Sequence, residues 1–152
     1  ILLFGCENIQ IKDSEISKID CPTVFFSSEN NVFVYGDTKN LNLEDIDYKA
    51  SINNYAFNCY EKLDYKSYLL DLLIIAEPIN PKDQNINLPI FVLLYDYEEK
   101  IIDKQYFRIK ENLNYNQENK SFQSSEIIGN IEIKVEKNLD VNFISIGFVN
   151  IN

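Results

Sequence analysis

The residues with the most reactive chemistry in this sequence are its three cysteines, Cys6, Cys21 and Cys59, because it contains no histidine. Without an imidazole, neither a Ser-His-Asp nor a Cys-His nucleophile can be assembled. Zinc sites usually need histidine or several thiolates, and two well-separated thiols cannot build one. Cys6 carries the strongest signal. It closes the apolar run Ile1-Leu2-Leu3-Phe4-Gly5, and Leu-x-Gly-Cys is the pattern of a lipobox, where bacteria cleave a signal peptide and attach lipid to the cysteine sulfur. The expected organisation follows: the end of a signal peptide over 1–5, a lipidated Cys6 and tether over 6–20, and a folded domain over 21–152. The sequence has no methionine, so the charged and apolar regions of the leader are expected upstream of Ile1.

With Cys6 assigned to lipid, Cys21 and Cys59 remain as an even pair. In an oxidising compartment they would form a bridge, stabilising the fold by roughly 4 kcal/mol in the chain-entropy model. In a cytosolic protein they would be two buried free thiols. Counting alone leaves both open.

Carboxylates could still run hydrolysis in pairs. Asp71, inside an apolar stretch, and Asp103, in the following hairpin, are the candidates. A lone strand aspartate is more often solvent-facing or hydrogen-bonded, so no catalytic residue is assigned and no enzyme is expected. Glu44, Asp45 and Asp47 form the densest acidic cluster. In a strand, Asp45 and Asp47 would share a face while Glu44 points away. No Asp-x-Asp-x-Asp-Gly loop follows, so the cluster reads as a solvated face rather than a calcium site. The 4 glycines are too few and isolated for a phosphate-cradling loop, and no cofactor or metal is expected. Asn119-Lys120-Ser121 matches a glycosylation sequon that a bacterial chain would leave unmodified. Tyr55, Tyr60, Tyr65 and Tyr68 cluster in one stretch, and Tyr95, Tyr97 and Tyr106 in another. Aromatics at strand spacing are usually core or cross-strand partners. The alternative is an exposed patch that contacts protein or glycan.

The elements that must position these residues are β. The chain has 152 residues and 45% hydrophobic content, enough for one domain with a real core. A net charge of −10 argues against nucleic acid and against electrostatic adhesion to anionic lipid. No apolar run reaches the roughly 18 residues of a membrane span. Residues 7–20 are polar with isolated isoleucines, and a flexible tether of that size spans roughly 20 Å.

From Cys21 onward Val, Ile, Tyr and Phe dominate. Ile127-Gly129-Ile131-Ile133-Val135 alternates with polar residues, as does Ile46-Tyr48-Ala50-Ile52, which gives each strand one wet face. Tyr68 to Ile75 and Ile90 to Tyr95 are apolar on both faces and read as central strands. Asp96 to Lys100 reads as a hairpin turn into Ile101 to Ile109. A last strand is expected over Val141 to Val149, with Gly147 allowing a bulge or a close backbone approach. Turns are expected at Gly36-Asp37, Asn53-Asn54, Pro78-Ile79-Asn80-Pro81 and Asn138-Leu139-Asp140. Leu41 to Asp45 and Asn112 to Ser121 read as loops. About seven to eight short strands predict an antiparallel β-sandwich, immunoglobulin-like or fibronectin-like.

Short motifs fall in a recognisable order: Cys21-Pro22-Thr23-Val24, Tyr48-Lys49-Ala50-Ser51-Ile52, Cys59, Leu88-Pro89-Ile90-Phe91-Val92, Phe107 and Ile146-Gly147-Phe148. Together with the lipobox they resemble a group of small uncharacterised cell-envelope lipoproteins of alphaproteobacteria. The resemblance covers most of Cys6 to Phe148. The chain departs from it with Ile90 where an aromatic is usual, and with its richness in Asn, Ile and Lys. It implies an envelope location and a paired Cys21 and Cys59, and it implies no activity. The expected function is therefore a non-enzymatic binding or structural module. It would be held at the periplasmic face of a bilayer through Cys6 and would be accessory to another envelope protein. A glycan- or small-ligand-binding sandwich using exposed tyrosines is the alternative.

Overall fold

Period-two alternation sends every second side chain to the same side of a strand. The computed structural model describes residues 16–37, 39 and 42–150. Eleven strands form within that span: β1 (Ser17–Ile19), β2 (Thr23–Phe26), β3 (Val32–Gly36), β4 (Ile46–Glu61), β5 (Tyr65–Pro78), β6 (Asn85–Tyr95), β7 (Ile101–Asn112), β8 (Asn114–Asn116), β9 (Ser121–Gln123), β10 (Ser125–Glu136) and β11 (Phe143–Phe148).

They build two facing sheets. The first runs β1-β4-β5-β10, with β3 sharing the β4 edge; the second runs β2-β11-β6-β7; β8 and β9 form a separate ribbon. All pairings are antiparallel except β2 with β11. The fold is thus the all-β sandwich expected from the sequence. Eight of the strands have four or more residues, and the three extra strands have three each.

The core lies between the inner faces. β4 and β5 supply Ala50, Ile52, Leu70, Leu72 and Ile74; β10 supplies Ile127, Ile131, Ile133 and Val135. β6 and β11 answer with Leu88, Ile90, Val92, Leu94, Ile144, Ile146 and Phe148. Each such Leu, Ile or Phe contributes roughly 1.5–3 kcal/mol by leaving water. β10 alternates buried and exposed along its full length, from Ser125 to Glu136.

The 96–100 hairpin forms because Asp96 Oδ1 accepts hydrogen bonds from the backbone N–H of Glu98 and of Lys100, both at 2.9 Å. Glu99 takes the left-handed conformation that the turn requires, with φ 63°.

Four details differ from the sequence reading. Asn53-Asn54 is not a turn. It is an irregularity within β4, between Ile52 and Asn54, so the strand continues through it to Glu61. β5 is central, between β4 and β10, yet its outer face is open: Leu69 is exposed and Leu73 and Ile75 are only half-buried. The Asn112–Ser121 loop is largely ordered by the β8–β9 ribbon, with Leu113 buried beneath it. Within the tether expected over 6–20, residues 6–15 lie outside the described residues, while Ser17–Ile19 pair with Cys59–Glu61.

Cys21 and Cys59 are joined in a disulfide, with Cα atoms 5.3 Å apart. Cys59 is fully buried on β4, and Cys21 sits on the segment that leaves β1 for β2. The bridge therefore fixes the chain where it crosses from the first sheet to the second.

Candidate functional site

The sheet two outer face is built from the odd positions of β6 and β11 and the even positions of β7. Register sets its rows. Phe143 lies beside Tyr95, Ser145 beside both Phe25 and Leu93, and Gly147 beside Phe91. On the far side Leu93 meets Lys104, Phe91 meets Tyr106, Pro89 meets Arg108 and Asn87 meets Lys110. The result is an aromatic surface bordered by a basic edge strand.

Phe143 organises one end. Its ring stacks on Tyr95 at 4.4 Å and meets Phe25 edge-on at 5.4 Å, both geometries that the aromatic quadrupole favours. Phe25 is nevertheless 54% exposed and Tyr106 68% exposed. Rings left this open are what a binding surface presents. Gly147 keeps the face flat at Phe91. A Cβ there would stand 2.7 Å from the Phe91 ring, so any larger residue would have to displace the ring.

At the other end two furrows adjoin. One, of about 470 Å³, is lined by Pro89, Ile90, Tyr106, Phe107, Arg108 and Val149. The next, of about 220 Å³, shares Pro89 and Arg108 and reaches Phe33, Val34 and Tyr35. Arg108 is the sequence's single arginine; its Nη1 donates to Asn87 Oδ1 at 3.3 Å. That one bond leaves most of the guanidinium's five donors for a guest. Chemically the face can stack a sugar or aromatic ring on Tyr106 while Arg108 and the lysines meet an acidic group.

The residues singled out from sequence fall in several places. Cys6 lies outside the described residues, and Cys21 and Cys59 form the bridge already described. Asp71 and Asp103 do not meet. Asp71 sits on the exposed outer face of the first sheet, between Ala56 and Asn130. Asp103 is on β7 of the second, where its Oδ2 accepts from Gln105 Nε2 at 2.9 Å.

Glu44 and Asp45 belong to a 3₁₀ turn rather than a strand, so Asp45 does not share a strand face with Asp47. Only Asp47 lies on β4, where it lines a cavity at the end of the sandwich. Among the described residues no three His, Cys, Asp or Glu side chains gather as a metal site would require. Asn119 is in the β8–β9 turn, where its Oδ1 accepts from the Ser121 hydroxyl.

The tyrosines divide. Tyr68 is core, and burial raises its phenol pKa, with the charge of Asp140 adding to the effect. Tyr60 and Tyr65 are half-buried and Tyr55, Tyr97 and Tyr106 exposed. Of the second cluster, Tyr95 and Tyr106 join the face.

Phe25, Phe143 and Arg108 were not singled out from sequence, and Phe91 entered only as part of the Leu88–Val92 motif. A local signal for part of the face exists: Lys104, Tyr106, Arg108 and Lys110 recur every second residue, which in a strand puts three cations and an aromatic on one side. Phe25 and Phe143 carry no such signal, because they meet only through the long-range β2–β11 pairing. The chain matches no protein-family model, no curated protein and no solved structure.

Proposed function

We propose that this protein is a non-enzymatic binding module of the bacterial cell envelope. It would be anchored through a lipidated Cys6 and would use the aromatic outer face of the second sheet to bind another envelope protein. The observation that carries this reading is the Cys21–Cys59 disulfide. Such bridges persist in oxidising compartments, and with Cys6 acylated no free thiol would remain. More than one acyl chain gives stable attachment, and a short tether would keep the face near the bilayer. The exposed rings of Tyr106 and Phe25 and the open guanidinium of Arg108 support a protein contact, since aromatic and arginine side chains dominate interface hot spots.

The test has two arms. Mass spectrometry of the protein from native membranes should find Cys6 diacylated or triacylated at the mature N-terminus; an unmodified Cys6 with upstream residues attached overturns the anchor. Affinity capture from solubilised membranes should retain a specific partner with the wild-type chain and lose it with Tyr106→Ala. A partner held equally by both chains removes the face from the proposal. The second reading, a glycan-binding sandwich, is favoured by the depth of Tyr106's exposure. It predicts that soluble envelope oligosaccharides quench tyrosine fluorescence in the wild type and not in Tyr106→Ala.

A further inference from the structure

A separate cavity of about 430 Å³ opens where the end of β3, the start of β4 and the β5–β6 loop meet. Tyr35, Asp37, Asp47, Tyr48, Lys82 and Asp83 line it. The three carboxylates against one ammonium leave it a formal charge of −2 (−3 + 1). Two of the carboxylates already have work within the chain. Asp37 Oδ1 accepts from the Lys39 N–H at 3.1 Å, and Asp83 Oδ1 from the Asn85 N–H at 2.8 Å.

Asp47 differs. It is only 9% exposed, yet among the described residues its carboxylate accepts no hydrogen bond and makes no ion pair. Lys82 lines the same cavity without coming within ion-pairing distance of it. Buried carboxylates are ordinarily paired, and a cation would pair this one. Its oxygens are not sealed in, since among the described residues no fully enclosed side-chain oxygen lacks a partner. The open side is the cavity.

The rings of Tyr35 and Tyr48 stack beside it at 5.1 Å. Burial raises the Tyr48 phenol pKa against the hydrogen bond to the Asn87 backbone, and Tyr35, Asp47 and Asp83 add to the rise.

We infer that this cavity binds a small organic cation, an alkylammonium whose charged nitrogen pairs with Asp47 and whose carbon skeleton packs against Tyr35. The size and the donors select an amine over a metal ion. Calcium takes six to eight oxygens at about 2.3–2.6 Å, whereas the acidic groups here are not gathered closely enough to ligate a metal. A cavity above roughly 300 Å³ suits a small molecule, and aromatic rings favour cations of low hydration. This inference is independent of the aromatic face and of the anchor.

The experiment titrates the full chain, disulfide intact, with 1,4-diaminobutane, choline, calcium chloride and sodium chloride, read by calorimetry and by amide NMR shifts. One or both amines should bind with a 1:1 stoichiometry and shift the amides of Gly36, Asp47 and Asp83. Asp47→Asn, with its fold verified by circular dichroism, should weaken binding at least tenfold, and Tyr35→Ala severalfold. If Asp47→Asn does not fold, Asp83→Asn should weaken binding through the same field. Binding unchanged in the folded Asp variant overturns the site. So does tighter binding of calcium than of either amine, or shifts no larger than sodium chloride produces.

Discussion

Ser67 is fully buried on β5, and its hydroxyl donates to Glu132 Oε1 on β10 at 2.7 Å. That hydrogen bond, helped by the charges of Lys62 and Lys134 and opposed by burial, holds the Glu132 carboxyl below its ordinary value of 4.5. The folded pKa is depressed, so the stabilisation is present above about pH 4.5 and is lost as pH falls through the lower folded value. Glu132 is open to solvent, which keeps its share of stability small. Ser67→Ala should move the Glu132 midpoint up toward 4.5 in a side-chain carboxyl NMR titration, and should cost about 1 kcal/mol in urea unfolding. An unmoved midpoint would assign the shift to the lysines instead. Tyr48 makes a longer reach. Its hydroxyl accepts from the Asn87 N–H at 3.2 Å and donates to the Asn87 carbonyl at 3.4 Å, beyond the point where β11 stops pairing with β6. Tyr48→Phe would strand that backbone pair and should lower stability by about 1–3 kcal/mol. The alternation Ile46-Tyr48-Ala50-Ile52 marked Tyr48 as core, but its partner lies 39 residues away. No local pattern encodes how two sheets are aligned.

Strands with one wet face were legible because burial enforces period two, and β10 follows the pattern throughout. Length was less legible. Asn53 and Asn54 carry turn propensity, but β5 pairs with Ile52 and Asn54 and skips only Asn53, while β3 pairs on the other side as far as Ser51. Tertiary pairing absorbs the Asn residues as a bulge, which locally bends the strand. The outer face of β5 misled for a different reason. Leu69, Leu73 and Ile75 look like core in sequence, yet they stand on the sheet face turned away from the core. Of the two readings of Gly147, a bulge or a close approach, the structure shows a close approach, made by the Phe91 ring. Gly147→Ala should force the Phe91 ring aside and cost about 1–3 kcal/mol by overpacking; adding Phe91→Leu should recover part of the loss. Equal unfolding midpoints for wild type and Gly147→Ala would show that the ring moves freely.

For the molecule as a whole, the disulfide spans 38 residues of sequence. Its reduction, or the Cys21→Ser/Cys59→Ser double variant, should cost about 4 kcal/mol. At this chain size that lowers the thermal midpoint by roughly 10 °C, measurable by calorimetry with and without reductant. An unchanged midpoint would show that the bridge does not constrain the unfolded chain. Charge also acts at this scale. The sequence carries −10, while the outward side of β7 carries Lys104, Arg108 and Lys110. The whole-chain count concealed that local reversal, because strand parity puts Lys104, Arg108 and Lys110 on one side of β7 and Asp103 and Glu111 on the other.

The parallel pairing of β2 with β11 has a consequence for synthesis. Residues 23–26 lie against residues 143–146, so the second sheet stays unfinished until translation has passed nearly all of the described chain. A nascent polypeptide stalled before Phe143 would leave two ladder edges bare, on β2 and on β6. A holdase that shields those edges until Phe148 emerges would suppress misassembly more than one acting on any hairpin.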